Sequence, residues 1–264
     1  MPKLTDIVAQ KAKFLLLSPP GGGKTRMAGT FDHPYFFVFD DGLMTLLKLV
    51  KDGRIKEGDF DVFVDTDRYS LSGLCWMDFN KKYLEVLKDP KYKTVVLDGW
   101  SMLTTYGYNY FQAINANVDK PGGFHIYGLL KSHLEDKIRL ARRYKKFVVV
   151  TALTEAIKDE NLGTIGLMPK TVGSIGDEMG AWFDEIYYPQ RTNYKGKMEY
   201  RVRTRPSGIY TLAKTRLDCV DDLEVPDFRV IKAKVKQHLG VDWDAEDPVA
   251  EVSPPAPKQG GTGK

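Results

Sequence analysis

Short apolar runs mark the first 150 residues: 14–17 (FLLL), 35–39 (YFFVF), 94–97 (TVVL) and 147–150 (FVVV), with 60–64 (FDVFV) as a further strand candidate. Runs that are apolar on both faces predict strands buried on both sides of a mainly parallel sheet. Between them the spacing turns helical. Residues 43–50 form one such segment. A second carries Leu74, Met77, Tyr83, Leu84 and Leu87, with Ser70 or Ser72 as its cap and Pro90 as its stop. A third, 99–117, is rich in aromatics, and a Pro121-Gly122-Gly123 break separates it from a fourth at 127–144. Strand and helix in alternation predict a wound α/β domain.

Beyond Thr151 the pattern changes. Turn signals at Asn161-Leu162-Gly163, Tyr194-Lys195-Gly196-Lys197 and Pro206-Ser207-Gly208 predict a β-rich C-terminal part. Residues 209–212 read as a further strand and 228–239 as a last helix. From Asp244 onward large apolar residues almost vanish while Pro and Gly accumulate. The expected organisation is a core over 1–243 and a disordered tail over 244–264.

Composition adds little. The 264 residues suffice for a full core, and a net charge of +4 singles out no partner. No apolar run has the length of a membrane span, and the first 13 residues lack the apolar centre of a signal peptide, so a cytoplasmic protein is expected. Cys75 and Cys219 are the two cysteines, far apart and without a Cys-x-x-Cys motif; they are expected to be reduced.

The chemistry starts right after the first run. KFLLLSPPGGGKT follows the phosphate-binding pattern Gly-x-x-x-x-Gly-Lys-Ser/Thr, with Ser18 in place of the first glycine. Gly21, Gly22 and Gly23 let backbone N–H groups turn inward around a polyphosphate. Lys24 is placed to reach the terminal phosphates and the Thr25 hydroxyl to ligate Mg²⁺. Ser18, Pro19, Pro20, Gly21, Gly22, Gly23, Lys24, Thr25 and Arg26 are thus the candidate ATP-binding residues. Such a loop needs an acidic partner for Mg²⁺ at the end of a neighbouring apolar strand, and Asp98, closing TVVLD, fits that place. AAA+ ATPases usually carry a glutamate directly after this aspartate; here Gly99 stands there. A base would then come from Asp40 or Asp41, at the end of the strand after the loop's helix, with Asp41 preferred.

With these pieces in order, the chain resembles the RecA-like ATPases of bacteriophages, including the single-strand annealing ATPases with a shortened RecA core. The resemblance covers about residues 14–217. It rests on SPPGGGKT, VFDDGL, TVVLDGWSML, VVVTALTEAIKDE, the Met168-Pro169 turn, WFDEIYY and Ala213-Lys214-Thr215-Arg216. The family often has a glutamate at the acidic turn, where this chain has aspartates, and a histidine where it has Leu153.

The resemblance implies ATP hydrolysis with Mg²⁺, action on single-stranded DNA in recombination or annealing, and a host-cytoplasmic location if the chain is phage-encoded. It further implies a ring or filament with ATP at subunit interfaces, and single-strand-binding, replication or recombination proteins as partners. Thr151 would sense the γ-phosphate, and Lys214 and Arg216 would reach a neighbouring subunit's ATP.

Two stretches concentrate positive charge. Residues 137–146 form a basic helix end, commonplace near a helix C-terminus. Along 197–205, alternation places Lys197, Arg201, Arg203 and Arg205 on one strand face, opposite Met198, Tyr200 and Val202. That face suits a phosphate backbone, with Tyr194 or Tyr200 stacking a base, or serves as a charged edge that discourages aggregation. A small-molecule or nucleotide kinase with this segment as its lid, and a nucleotide-gated assembly factor with little turnover, are the competing readings.

Overall fold

The computed structural model describes residues 11–40, 42–64, 74–115 and 124–244. The five strand candidates become β1 (Lys13–Leu17), β2 (Pro34–Val38), β3 (Phe60–Val62), β4 (Thr94–Asp98) and β5 (Phe147–Ala152). They pair in parallel in the order β3-β2-β4-β5-β1, and β8 (Glu185–Tyr194) adds a parallel neighbour on the far side of β1. β8 then turns back into β9 (Lys197–Arg203), and β10 (Leu223–Glu224) closes that edge, both antiparallel. A separate antiparallel hairpin, β6 (Thr154–Asp159) with β7 (Gly163–Pro169), follows β5. The result is the expected α/β class: a mainly parallel sheet with a β-rich C-terminal part.

Alternation along the strands feeds two separate cores. Leu15, Leu17, Phe37, Leu97 and Val150 face α3 (Leu74–Lys88), α4 (Trp100–Ile114), α5 (Phe124–Arg143) and the short α6 (Ile175–Met179). Phe14, Leu16, Phe36, Val96 and Val149 face α1 (Lys24–Ala28), α2 (Leu43–Lys51) and α7 (Phe228–Leu239). Helices on both faces explain why the strands read as unbroken apolar runs. Gly107 lets α4 lie close to its neighbours, since a Cβ there would fall 2.5 Å from Leu130 Cδ1 and 2.8 Å from Trp76 Cζ3.

The second core is aromatic. Phe228 stacks on Phe31 at 3.9 Å between centroids and 9° between planes, and Phe14 meets both edge-on. Trp243 lies against the other face of this cluster, 5.8 Å from Phe228 and 5.3 Å from Phe147. Lys232 ties the same end down by donating to Asp32 and to Asp244. The packed chain therefore reaches Asp244, and residues 245–264 of the expected tail lie outside the described residues.

Three expectations change. Residues 209–212 form no strand. Tyr210 N–H donates to Ser207 O and Ala213 N–H to Tyr210 O, so this stretch is two consecutive turns. Tyr210 and Leu212 pack individually on the first core, and Lys214 alone bridges to Ile186. Arg205 lies beyond the end of β9. The fourth helix begins at Phe124, earlier than its periodicity indicates. The candidate caps Ser70 and Ser72 and the Pro121-Gly122-Gly123 break lie outside the described residues.

Because Phe228 is fully buried in the aromatic layer, Phe228→Ala should lower unfolding stability by about 3–5 kcal/mol. Urea denaturation followed by tryptophan fluorescence measures this; a loss below about 1 kcal/mol would refute this packing.

Candidate functional site

The register of the parallel strands assembles the site. Val38, Asp98, Thr151 and Leu16 are successive partners across β2, β4, β5 and β1, at the carboxyl ends where the loop after β1 begins. Each loop glycine answers a different demand. Gly21 and Gly23 have φ of 76° and 98°, a left-handed conformation that side-chained residues rarely adopt. A Cβ on Gly22 would fall 2.2 Å from Ser18 Oγ and 2.9 Å from Pro189 O.

Lys24 opens α1 and is buried. Its Nζ donates to Ser18 O at 2.7 Å, Pro19 O at 3.1 Å and Ser18 Oγ at 3.3 Å. Burial draws its pKa below the usual lysine range, against the pull of the Asp98 and Asp40 carboxylates.

Asp98 is 1% exposed. Its Oδ1 accepts from Thr151 Oγ1 at 2.5 Å and from Thr25 Oγ1 at 3.1 Å, while Thr151 Oγ1 accepts from Gly99 N–H at 3.0 Å. Its Oδ2 is buried and has no hydrogen-bond partner among the described residues. A Cβ on Gly42 would sit 4.0 Å from both Asp98 Oδ2 and Thr25 Oγ1, so these two oxygens face one small space. Burial first, and then the Asp40 carboxylate, pushes the Asp98 pKa up to about 6. Asp40 Oδ1 accepts from Gly42 N–H at 3.1 Å.

The space between Thr25 and Asp98 fits Mg²⁺, which takes oxygen donors, needs only one or two from protein, and completes its shell with water and phosphate. A cage built of three or more His, Cys, Asp or Glu side chains does not occur among the described residues. The cleft over this site encloses about 670 Å³ and is lined by the loop, Asp40, Met44, Leu153 and Tyr200, among others.

Of the residues singled out from sequence, Ser18 to Arg26, Asp40, Asp98 and Thr151 come together here. Asp41 lies outside the described residues. Lys214 and Arg216 lie elsewhere: Lys214 bridges to Ile186, level with Leu15, and donates to Gly180 O. Arg216 pairs with Asp184, beside Lys13 at the opposite end of β1, and its side chain is 67% exposed.

Two of the four basic residues along the basic strand meet carboxylates. Arg201 pairs with Glu199 at 2.8 Å and stacks 3.9 Å from the Tyr194 ring centre, and Arg205 pairs with Asp222 at 2.7 Å. The Arg203 guanidinium lies 5.4 Å from the Tyr210 ring centre, and Lys197 is exposed. Sequence reasoning missed that Tyr200, on the strand's other face, rests against the loop, with a Gly23 Cβ falling 3.3 Å from its Cδ1. Local sequence carries no signal for a contact between residues so far apart.

The family described as AAA domain matches residues 10–217, from before β1 to past the Lys214–Arg216 segment. This chain belongs to that family. Among solved structures, the KaiC-like protein PH0186 from Pyrococcus horikoshii OT3 is similar, with 12% identity and a TM-score of 0.39. The alignment covers 74% of this chain and 78% of that one. No curated protein matches. In this AAA domain no helix among the described residues is long and apolar enough to cross a membrane.

The raised pKa of Asp98 makes a stability prediction. Ionising a carboxyl whose pKa is about 6 when folded and 3.8 when unfolded costs roughly 3 kcal/mol, in full above pH 6 and not at all below 3.8. The ligand-free Asp98→Asn protein should therefore melt higher than wild type at pH 8, with the gain fading toward pH 4. A gain that does not depend on pH would contradict the assignment.

Proposed function

We propose that this AAA-domain protein binds ATP with Mg²⁺ and hydrolyses it. The observation that carries the reading is the unpartnered Asp98 Oδ2, buried beside the Thr25 hydroxyl, where Thr25 and Lys24 line the cleft. A buried carboxylate oxygen without a donor is costly unless a cation completes it. Mg²⁺ there, held by Thr25 and Asp98, would neutralise charge on the β- and γ-phosphate oxygens.

The loop N–H groups and the start of α1 cradle the phosphates, and Lys24 exchanges its loop carbonyls for phosphate oxygens. Thr151 donates to Asp98 and fixes its orientation. Gly99 supports Asp40 as the group that positions water. Its φ is 99°, and a Cβ there would lie 3.0 Å from Asp40 N and 3.2 Å from Asp40 Cβ and Cγ. Asp40 thus fills the space that a glutamate at this place would need. Water attacks the γ-phosphorus, the bond to the β-bridging oxygen breaks, and ADP and phosphate leave. Asp40 orients the water through hydrogen bonds to its protons.

Arg216 is proposed to complete the site of a neighbouring subunit, which its exposure and its distance from its own loop favour. A guanidinium supplied in trans stabilises charge on the transferring phosphoryl group. Single-stranded DNA is proposed as effector along β9, supported by Lys197, Arg201, Arg203 and Arg205; Glu199 and Asp222 would then exchange partners.

Lys24→Ala should abolish productive ATP binding, and Asp40→Asn should slow turnover about a hundredfold or more while ATP still binds. Equal rates in Asp40→Asn and wild type would move the water-positioning role elsewhere. Mixing Lys24→Ala with Arg216→Ala subunits should restore turnover above either parent, whereas full activity of Arg216→Ala alone would end the shared-site reading. DNA stimulation should fall steeply with salt and flatten when Arg201, Arg203 and Arg205 are neutralised. Transfer of phosphate to a second nucleotide rather than water would favour a kinase.

A further inference from the structure

The phosphate site fixes where the rest of a nucleotide must go. Lys24 and Asp40 mark the terminal-phosphate end of the cleft, with Asp98 buried behind Thr25. Phosphates held by the loop amides and the start of α1 would run past the Gly23 amide toward Arg26, which would send the nucleoside to the side away from Asp98. On that side lies a second cavity of about 330 Å³, bounded by Gly22, Gly23, Arg26, Pro189, Tyr200 and Val225, among others. Gly23, Arg26 and Tyr200 line both this cavity and the phosphate cleft.

Its chemistry is that of a heterocycle pocket. Met27, Pro189, Val225 and Pro226 supply apolar wall, and Tyr200 supplies an aromatic one. The Tyr200 ring is held against the loop, with its Cδ1 and Cε1 at 3.3 and 3.5 Å from where a Gly23 Cβ would stand. It is still 40% exposed, so the ring is fixed in place without being covered. Arg26 and Arg54 add positive charge near the path from the phosphates. Polar groups at the far end are engaged within the protein. Thr30 Oγ1 donates to Met27 O and accepts from Phe228 N–H, and Asp227 caps α7 by accepting from Arg229 N–H.

We infer that this cavity receives the base and ribose of the nucleotide, with the Tyr200 ring as the surface on which the base stacks. The inference rests on the phosphate-site reading above. It also gives Tyr200 a task inside the nucleotide site rather than on a DNA strand.

The test compares two probes that differ only in the nucleoside: Mg²⁺–ATP and Mg²⁺–tripolyphosphate, with dissociation constants measured by calorimetry on the full chain. Tyr200→Ala should weaken ATP roughly tenfold to a hundredfold, the range for one aromatic–base stack, and leave tripolyphosphate within about twofold. Tyr200→Phe keeps the ring and should match wild type for both within about twofold. Equal loss for both probes in Tyr200→Ala would mean that the ring only props up the loop, and no loss for either would mean that the base lies elsewhere; each overturns the inference. Failure of the underlying reading looks different: wild type would bind neither probe, or Lys24→Ala would bind both normally.

Discussion

One buried carboxylate sets the terms for the whole carboxyl edge of the sheet. Asp98 ends a strand with apolar layers on both faces, so its charge has little water to lean on. Both threonines spend their hydroxyl hydrogens on the same oxygen, which leaves the other oriented but unmatched. Lys24 shows the mirror image: a buried cation held by carbonyls of its own loop. Burial works against both charges, and neither pairs directly with the other among the described contacts. Such an arrangement gains most from a ligand that brings a divalent cation and several anionic oxygens together.

The strand order makes this possible. Placing β5 between β1 and β4 puts Thr151 level with Asp98 on one side and Leu16 on the other. A hydroxyl at that level links the Asp98 carboxylate to the Gly99 N–H that begins α4, so acid and helix start are fixed by one side chain. Gly99 in turn admits Asp40 to the cleft. The antiparallel hairpin of β8 and β9 then brings Tyr200 over the loop from the opposite edge. Residues from most of the chain's length meet within one cleft.

The parallel sheet was legible because runs such as FVVV leave no solvent face. The loop was legible because its glycines and Lys24-Thr25 carry the chemistry in consecutive positions. Asp98 could be read from its place at a strand end, although the orphaned Oδ2 that gives it meaning could not. The 209–212 stretch misled because its apolar residues, which resemble a strand, pack one by one from turns. The row of cations along β9 was legible, but its pairing was not: composition counts Arg201 and Arg205 without showing that Glu199 and Asp222 meet them. Tyr200 was invisible as a neighbour of Gly23, since only the fold joins residues so distant in sequence.

The most direct measurement is a crystal structure of the protein with Mg²⁺ and a non-hydrolysable ATP analogue. Mg²⁺ is expected on Thr25 Oγ1 and Asp98 Oδ2, directly or through one water, with Lys24 Nζ moved from the Ser18 and Pro19 carbonyls onto the terminal phosphates. A nucleotide bound elsewhere, or one in this cleft with Lys24 still on its loop and no cation beside Asp98, would contradict this.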